Sequence, residues 1–384
     1  MTPAMSKTAQ RILIACDSSK SLIDFRGKLI EEMVKHHHVY VFTPSITLQS
    51  ERDYLNRLNV IFFETEFTGS NVSIWGDLMY IIRLLTLMIK LKPDAFFPYT
   101  FKPVIYGTVL AKICRIKLIT PMLSGLGYNF DERSINTLVS TITRLLLRFS
   151  LAENSRLKII LQNEDDYDTL CKYDILTYKH QVFVVNGSGV DLGHYTPSAP
   201  DLININFLMI ARLINAKGIA EYYDAAKYIR SYYPSVKFSL IGSYDNNIDS
   251  ISPALFEKIK SDDSICYMGQ VNDVRSFIKD ASVIVLPSYY GEGIPRCLLE
   301  SMAMGRAIIT SDSVGCRETI DDGAAPNGFL VPVKNAAALI SKMCYYINNR
   351  DAILWHGENG LMLAKRKFDV QIVNQQMLSI MQLN

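Results

Sequence analysis

The chain has 384 residues, 49% of them hydrophobic and 20% charged, with a formal net charge of +2. That length is large for one hydrophobic core and favours two domains of ordinary size. The near-neutral balance excludes a dedicated nucleic-acid binder, which would carry a basic excess.

The small excess that exists is local. Lys+Arg less Asp+Glu is 22 − 18 = +4 over residues 1–190 and 18 − 20 = −2 over residues 191–384. Cys16, Cys114, Cys171, Cys266, Cys297, Cys316 and Cys344 are scattered, odd in number and form no CxxC pair. That pattern fits a reducing compartment and neither a disulfide framework nor a zinc site. The amino terminus lacks the apolar core and cleavage site of a secretory leader. The longest apolar stretch, Met79 to Leu91, is interrupted by Arg83 and Lys90, so a cytoplasmic protein without a spanning helix is expected.

In chain order, the first half alternates short apolar runs with helical patterns. The predicted strands are Arg11–Cys16, Val39–Thr43, Val60–Glu64, Ala95–Tyr99, Lys117–Leu123, Lys158–Gln162 and Val182–Val185. Patterns of helical period lie between them, at Leu22–Lys35, Trp75–Leu91 and Ile135–Phe149. Strands that read as continuous apolar runs are buried on both faces, which implies a parallel sheet with crossover helices. His36, His37 and His38 fall between a helix end and a strand, where adjacent rings cannot converge on a metal; a solvated turn is expected. The segment Asn186–Asp201, rich in Gly, Pro, Ser and Asp, reads as the interdomain linker.

The second half repeats the rhythm, with strands predicted at Phe207–Ala211, Lys237–Ile241, Ile265–Met268, Val283–Pro287, Ala307–Thr310 and Phe329–Val331. The expected architecture is α/β: two doubly wound, Rossmann-like domains facing a cleft. Residues 1–190 form the first, rejoined by a helix over 368–384, and residues 191–367 form the second.

Three strand ends of the second domain carry the chemistry. One bears Arg212 and Lys217 ahead of a helix, the next bears Glu292 ahead of a helix opening at Pro295, and the third runs from Ser311 to Glu318. Strands of one parallel sheet present these ends on one edge. There, two cations and a helix N-terminus suit a diphosphate. Arg296 stands in the first turn of its helix, where a cation is disfavoured, and its i+4 neighbour is Glu300. Either a bound anion accounts for it, or a surface Arg296–Glu300 bridge does.

The loop from Asp17 to Gly27 lacks a GxGxxG fingerprint. Arg83, Lys90 and Lys92 interleave with Ile, Leu and Met, and Arg144 and Arg148 flank Leu145–Leu147. These stretches are either core helices whose cations snorkel or peripheral helices resting on an anionic leaflet.

The run from Glu292 to Glu300, followed by Ser301–Arg306 and Gly315–Glu318, resembles the E-x7-E signature of retaining glycosyltransferases of family four, which have the GT-B fold. The Ala211–Gly218 run and the linker from Asn186 resemble the same family in order and spacing. Tyr99–Pro103, Tyr106-Gly107 and Ser124–Tyr128 are similar to the bacterial branch that builds O-antigen, capsule and lipid-linked oligosaccharides. The resemblance implies roles for particular residues. Glu292 contacts the donor sugar near its anomeric centre and Glu300 accepts hydrogen bonds from ribose hydroxyls. Arg212 and Lys217 neutralise the departing diphosphate, and the backbone N–H groups of Gly293 and Ile294 support sugar and phosphate. Arg296 belongs to the same donor site.

The resemblance also implies a UDP-sugar donor and no metal or other cofactor. The acceptor is then a polyprenyl-diphosphate-linked saccharide at the inner face of the plasma membrane, reached through the first domain's membrane-facing surface. The leading transfer is an α-1,3-linked N-acetylgalactosamine. Many relatives place a histidine in the first domain, but none lies between His38 and His180 here. Lys102 is the substitute on the acceptor side, and Arg26 is an acceptor-phosphate contact. A UDP-sugar epimerase or a sugar-binding protein on the same scaffold is the competing reading.

Overall fold

The computed structural model describes residues 9–66, 74–130, 137–245 and 249–383. The expectation of no leader rests partly on residues 1–8, and the helix expected from Ile135 includes residues 135–136; both stretches lie outside the described residues. The chain forms two compact units, Met1–Ser188 with Val373–Asn384, and Gly189–Ile372.

In unit 1, strand β1 (Arg11–Ala15) is central because RILIA is apolar on both faces. It pairs in parallel with β2 (His38–Pro44) and β4 (Ala95–Pro98), with Ile12 opposite Val39 on one side and Ala95 on the other. With β3 (Ile61–Thr65) and β5 (Leu118–Ile119), the strand order is β3-β2-β1-β4-β5. A parallel pair, β6 (Lys158–Leu161) and β7 (Gln181–Val184), continues this sheet through bridges from Ile119 to Leu157 and from Met122 to Ile160. Pro121, which has no N–H to donate, stands where the longer predicted strand Lys117–Leu123 breaks.

Side chains alternate across β1 with period two. Ile12 and Ile14 pack with Leu22, Leu29 and Met33 of the Ser19–Met33 helix and with Val373 and Met377 of the Val370–Ile380 helix. Leu13 and Ala15 pack on the other face with Tyr80, Leu84 and Met88 of the Ile74–Leu91 helix. Each such side chain contributes about 1.5–3 kcal/mol when fully buried. The histidine run is not a wholly solvated turn. His37 is turned inward, its Nε2 3.0 Å from the Leu383 carbonyl, while its Nδ1 accepts from the Gln10 N–H.

Unit 2 is a six-stranded parallel sheet of β8 (Asn206–Ile210), β9 (Lys237–Ile241), β10 (Cys266–Tyr267), β11 (Val283–Leu286), β12 (Ala307–Ser311) and β13 (Gly328–Val331). Its spatial order is β10-β9-β8-β11-β12-β13, or 3-2-1-4-5-6 within the unit, the doubly wound arrangement of dinucleotide-binding folds. The segment leading in from unit 1 is fastened by Val190, whose N–H donates to the Phe368 carbonyl and whose carbonyl accepts from the Val370 N–H. Arg306, fully buried, donates through its guanidinium to the carbonyls of Ser198, Ile278, Lys279 and Met304. Burial draws its pKa down to about 10.

Candidate functional site

In unit 2 the sheet grows outward in both directions from adjacent strands β8 and β11, which are paired at Phe207–Val283. Ligands of such sheets bind beyond the carboxyl ends of the strands at this reversal. The exposed Arg212 follows β8, and a tight turn, Asn215–Lys217, then delivers Lys217 to the edge. Gly218 closes that turn at φ +76°, and a Cβ there would lie 2.3 Å from the Pro287 carbonyl oxygen, so only glycine lets the turn rest on the end of β11. The Tyr289 N–H donates to the Ala216 carbonyl at 2.8 Å, binding the two loops together.

Lys217 Nζ sits 2.5 Å from Glu292 Oε1, with the two side chains only 10% and 19% exposed. Ser288 Oγ donates to the same carboxylate oxygen at 3.2 Å. The Tyr290 ring lies 5.5 Å from Lys217 Nζ and 5.9 Å from the Arg212 guanidinium carbon, so both cations approach one aromatic ring. Burial works against the charged form of Lys217, but the Glu292 carboxylate outweighs it and its pKa is raised above the ordinary lysine value. The ammonium is therefore retained in a nearly enclosed position.

The third loop fits against the second. Gly315, at φ +76°, lies where a Cβ would collide with the Gly293 carbonyl oxygen, and Ser313 Oγ donates to the Ser288 carbonyl at 2.7 Å. Gly293 and Ile294 are buried in this junction. Pro295 then caps the Arg296–Ala303 helix with no side-chain hydrogen bond. The Cys297 and Cys316 thiols beside it are pushed up by burial, Cys316 to about 11, so neither is a thiolate nucleophile.

Arg296 does bridge to Glu300, at 2.7 Å, but the pair is not a surface one: Glu300 is buried and also accepts from the Tyr195 hydroxyl at 2.9 Å. Burial first, and then the Glu300 carboxylate, push the Tyr195 hydroxyl pKa well up. Tyr195 escaped the sequence reading because its partner is 105 positions away. Its only signal was its place in the linker.

Unit 1 carries the acceptor-side candidates. Its sheet also reverses direction, between β1 and β4, and Lys102 follows β4. Lys102 Nζ pairs with Asp77 at 3.0 Å, and the Tyr106 hydroxyl donates to the other Asp77 oxygen at 2.9 Å. Asp17, at the end of β1, has its pKa raised by burial, with a hydrogen bond from Thr100 and the nearby Lys102 partly offsetting it. Neither Asp17 nor Asp77 stood out in the sequence.

Arg26 does not lie on a loop. Ser18 caps a helix that begins at Ser19, which puts Arg26 in the helix interior, buried, with its guanidinium 5.6 Å from the Tyr99 ring. Among the described residues, no group of three or more His, Cys, Asp or Glu is placed to hold a metal ion. Among the same residues, no helix is long and apolar enough to cross a membrane.

Both units are Rossmann-like, and the fold is that of the GT-B glycosyltransferases. Sucrose-phosphate synthase from Thermosynechococcus elongatus matches with a TM-score of 0.79 at 16% identity, over 97% of this chain and 98% of that one. HepE from Anabaena, solved in complex with UDP-glucose, matches with a TM-score of 0.75 at 16% identity, over 97% and 99%. Residues 204–349, within unit 2, match the family model described as glycosyl transferases group 1. Over the whole length, the chain is 25% identical to the N,N'-diacetylbacillosaminyl-diphospho-undecaprenol alpha-1,3-N-acetylgalactosaminyltransferase of Campylobacter jejuni, spanning 96% of this chain and 98% of that protein. It is 24% identical to the capsular polysaccharide biosynthesis glycosyltransferase CapM of Staphylococcus aureus, over 97% and 96%.

Proposed function

We propose that this chain is a retaining glycosyltransferase that moves a sugar from a UDP-sugar to a polyprenyl-diphosphate-linked saccharide in bacterial surface polysaccharide synthesis. The observation that carries the reading is the meeting of Arg212, Lys217, Glu292 and the Pro295 helix start where the unit 2 sheet reverses. As the bond from sugar to diphosphate breaks, negative charge grows on the departing UDP. Arg212, Lys217 and the helix terminus supply fixed positive potential there, the kind of preorganised stabilisation that dominates many rate enhancements.

These groups provide charge compensation of the kind a metal ion brings elsewhere, so a metal-independent reaction with no further cofactor is proposed. Glu292, held by Lys217 and Ser288, faces the sugar carbon, and the backbone of Gly293 and Ile294 flanks the sugar and phosphate. Glu300, already an acceptor for Tyr195 and Arg296, takes ribose hydroxyls.

The Campylobacter jejuni relative's name supports N-acetylgalactosamine as the sugar, an α-1,3 linkage and a lipid diphosphate acceptor. Such an acceptor implies work at the inner face of the plasma membrane, with Lys102 of unit 1 toward its diphosphate; the buried Arg26 is not an acceptor contact.

The test has two parts. Calorimetry compares UDP with the free sugar, and a panel of UDP-sugars is offered with a lipid-diphosphate acceptor, with product linkage read by NMR. UDP binding that weakens in Arg212→Gln, with a new glycosidic bond in the product of the parent, supports the proposal. An isomerised sugar without acceptor, or binding of free sugar in preference to UDP, overturns it.

A further inference from the structure

The segment that leads into unit 2 carries a tyrosine into the interior. Gly189 stands at φ +69°, where a Cβ would lie 2.6 Å from the Val370 Cα, so glycine lets the chain run this close to the start of the last helix. Asp191 then turns the chain. Its Oδ1 accepts from the N–H groups of Gly193 and His194, and its carbonyl accepts from the Tyr195 N–H at 2.9 Å. Tyr195 ends up buried among the core side chains of unit 2, its ring edge-on to that of His194 at 5.0 Å.

This path delivers the Tyr195 hydroxyl to Glu300, 2.9 Å from Oε1. Arg296, one helical turn before Glu300, reaches the same oxygen at 2.7 Å. Rotation about the last bond of a glutamate side chain is broad when nothing holds it. Here two donors from separate segments meet one oxygen, and the carboxylate is buried on its helix, so its plane is fixed. Burial and the facing carboxylate keep the Tyr195 proton in place, so the hydroxyl remains a donor across the physiological range.

The consequence concerns which nucleotide the site accepts. A fixed, buried carboxylate matched to ligand hydroxyls rejects a ligand that lacks them, because its hydrogen bonds are then lost without replacement. A carboxylate free to turn finds other partners and tolerates the loss. A phenol that merely fastened the linker to the helix would have no such selectivity to confer.

We propose that Tyr195 is a positioning residue that makes the donor site select a nucleotide with intact ribose hydroxyls over its deoxyribose counterpart. It acts through Glu300 and not by touching the ligand. The inference deepens the proposed function and rests on that reading's placement of ribose against Glu300.

The experiment is calorimetry of the full chain with UDP and with 2′,3′-dideoxy-UDP, for the parent, Tyr195→Phe, Glu300→Gln and the double variant, each checked by circular dichroism and thermal midpoint. The parent should prefer UDP by about 10- to 100-fold. Tyr195→Phe should weaken UDP about tenfold and leave the dideoxy nucleotide within about twofold, so that the preference collapses. In the Glu300→Gln background, the Tyr195 change should add nothing to the ratio. Arg296→Gln, which removes the other donor to the same oxygen, should narrow the ratio with Tyr195 intact, a check that does not depend on Tyr195→Phe folding well. Equal weakening of both nucleotides in Tyr195→Phe, or a parental ratio in that variant, overturns the positioning role and leaves the catalytic reading standing. A parent that binds UDP and the dideoxy nucleotide equally removes the ribose contact of Glu300 and this inference with it. A parent that binds neither overturns the donor site as a whole.

Discussion

Replacing Lys217 by glutamine separates two consequences of one ion pair. At 2.5 Å and an effective dielectric of about 20, the attraction between Lys217 and Glu292 is roughly 6–7 kcal/mol before desolvation is counted. Removing one partner of a buried pair typically costs about 3–5 kcal/mol. Glu292 keeps some contact with solvent and the Ser288 hydroxyl, so about 2–3 kcal/mol is expected for Lys217→Gln. Transfer should fall further, by about 10²–10³ in kcat, since a charge aimed at the departing diphosphate is lost.

The discriminating double variant carries Lys217→Gln and Glu292→Gln together. With both charges gone, stability recovers most of the single-variant loss, read as hydrogen-exchange protection of the β11 amides, while transfer stays low. The raised Lys217 pKa adds a sign. Stability from the pair is fully present below the ordinary value of 10.5 and is lost as pH rises through the higher folded-state value, so the parent's alkaline decline should flatten in the variant. Parent-like transfer in Lys217→Gln, or additive stability losses in the double variant, would refute the reasoning.

Arg212→Gln, at an exposed site, should change stability by under about 0.5 kcal/mol yet weaken UDP binding and cut turnover by about 10²-fold, measured by calorimetry and initial rates. Tyr195→Phe removes a hydrogen bond to a buried carboxylate, and a loss of about 1.5–3 kcal/mol in unit 2 is expected from denaturant unfolding, with weaker UDP binding. Gly315→Ala places a Cβ on the Gly293 carbonyl and must push the Glu292 loop away, so UDP binding should vanish in calorimetry while unit 1 keeps its exchange protection. Asp166 has its pKa raised to about 7, chiefly by burial, so the folded chain holds this proton when the unfolded chain has already released it. Stability should therefore fall as pH rises from about 4 to 7, and Asp166→Asn should be roughly 2–4 kcal/mol more stable than the parent at pH ~8 but equal to it at pH ~4.

Much of the fold was legible because parallel strands leave a local trace: short apolar runs bounded by turn residues, set between helical periods. The runs at Arg11–Cys16 and Val283–Pro287 became β1 and β11, the strands beside which both sheets reverse. Strand neighbours leave no such trace. Nothing in the runs says that β11 lies against β8 and not β10, yet that adjacency sets Glu292 beside Lys217. The candidate donor site was legible for a different reason. Its glycines and charged residues are crowded into three loops whose chemistry is local. Where a partner is distant, the reading stopped. Tyr195 with Glu300, and Arg306 with carbonyls from three separate segments, are satisfied only once the chain has folded.

The Leu138–Leu151 helix marks another limit, which is one of direction. Its helical period was visible, but LVSTITRLLLRFSL offers apolar side chains on more than one face. Periodicity reports that a helix has faces, and the packing contacts decide which of them is buried. Here the contacts chose the face with Ser140 and Ser150, possible because a hydroxyl can be satisfied by its own helix and is small enough to sit against the core. Had the stripe of Leu138, Val139, Ile142, Leu145, Leu146 and Phe149, all exposed, been turned inward, more apolar area would have left water. The arrangement found gives up part of that burial in unit 1 and leaves the apolar stripe at the surface.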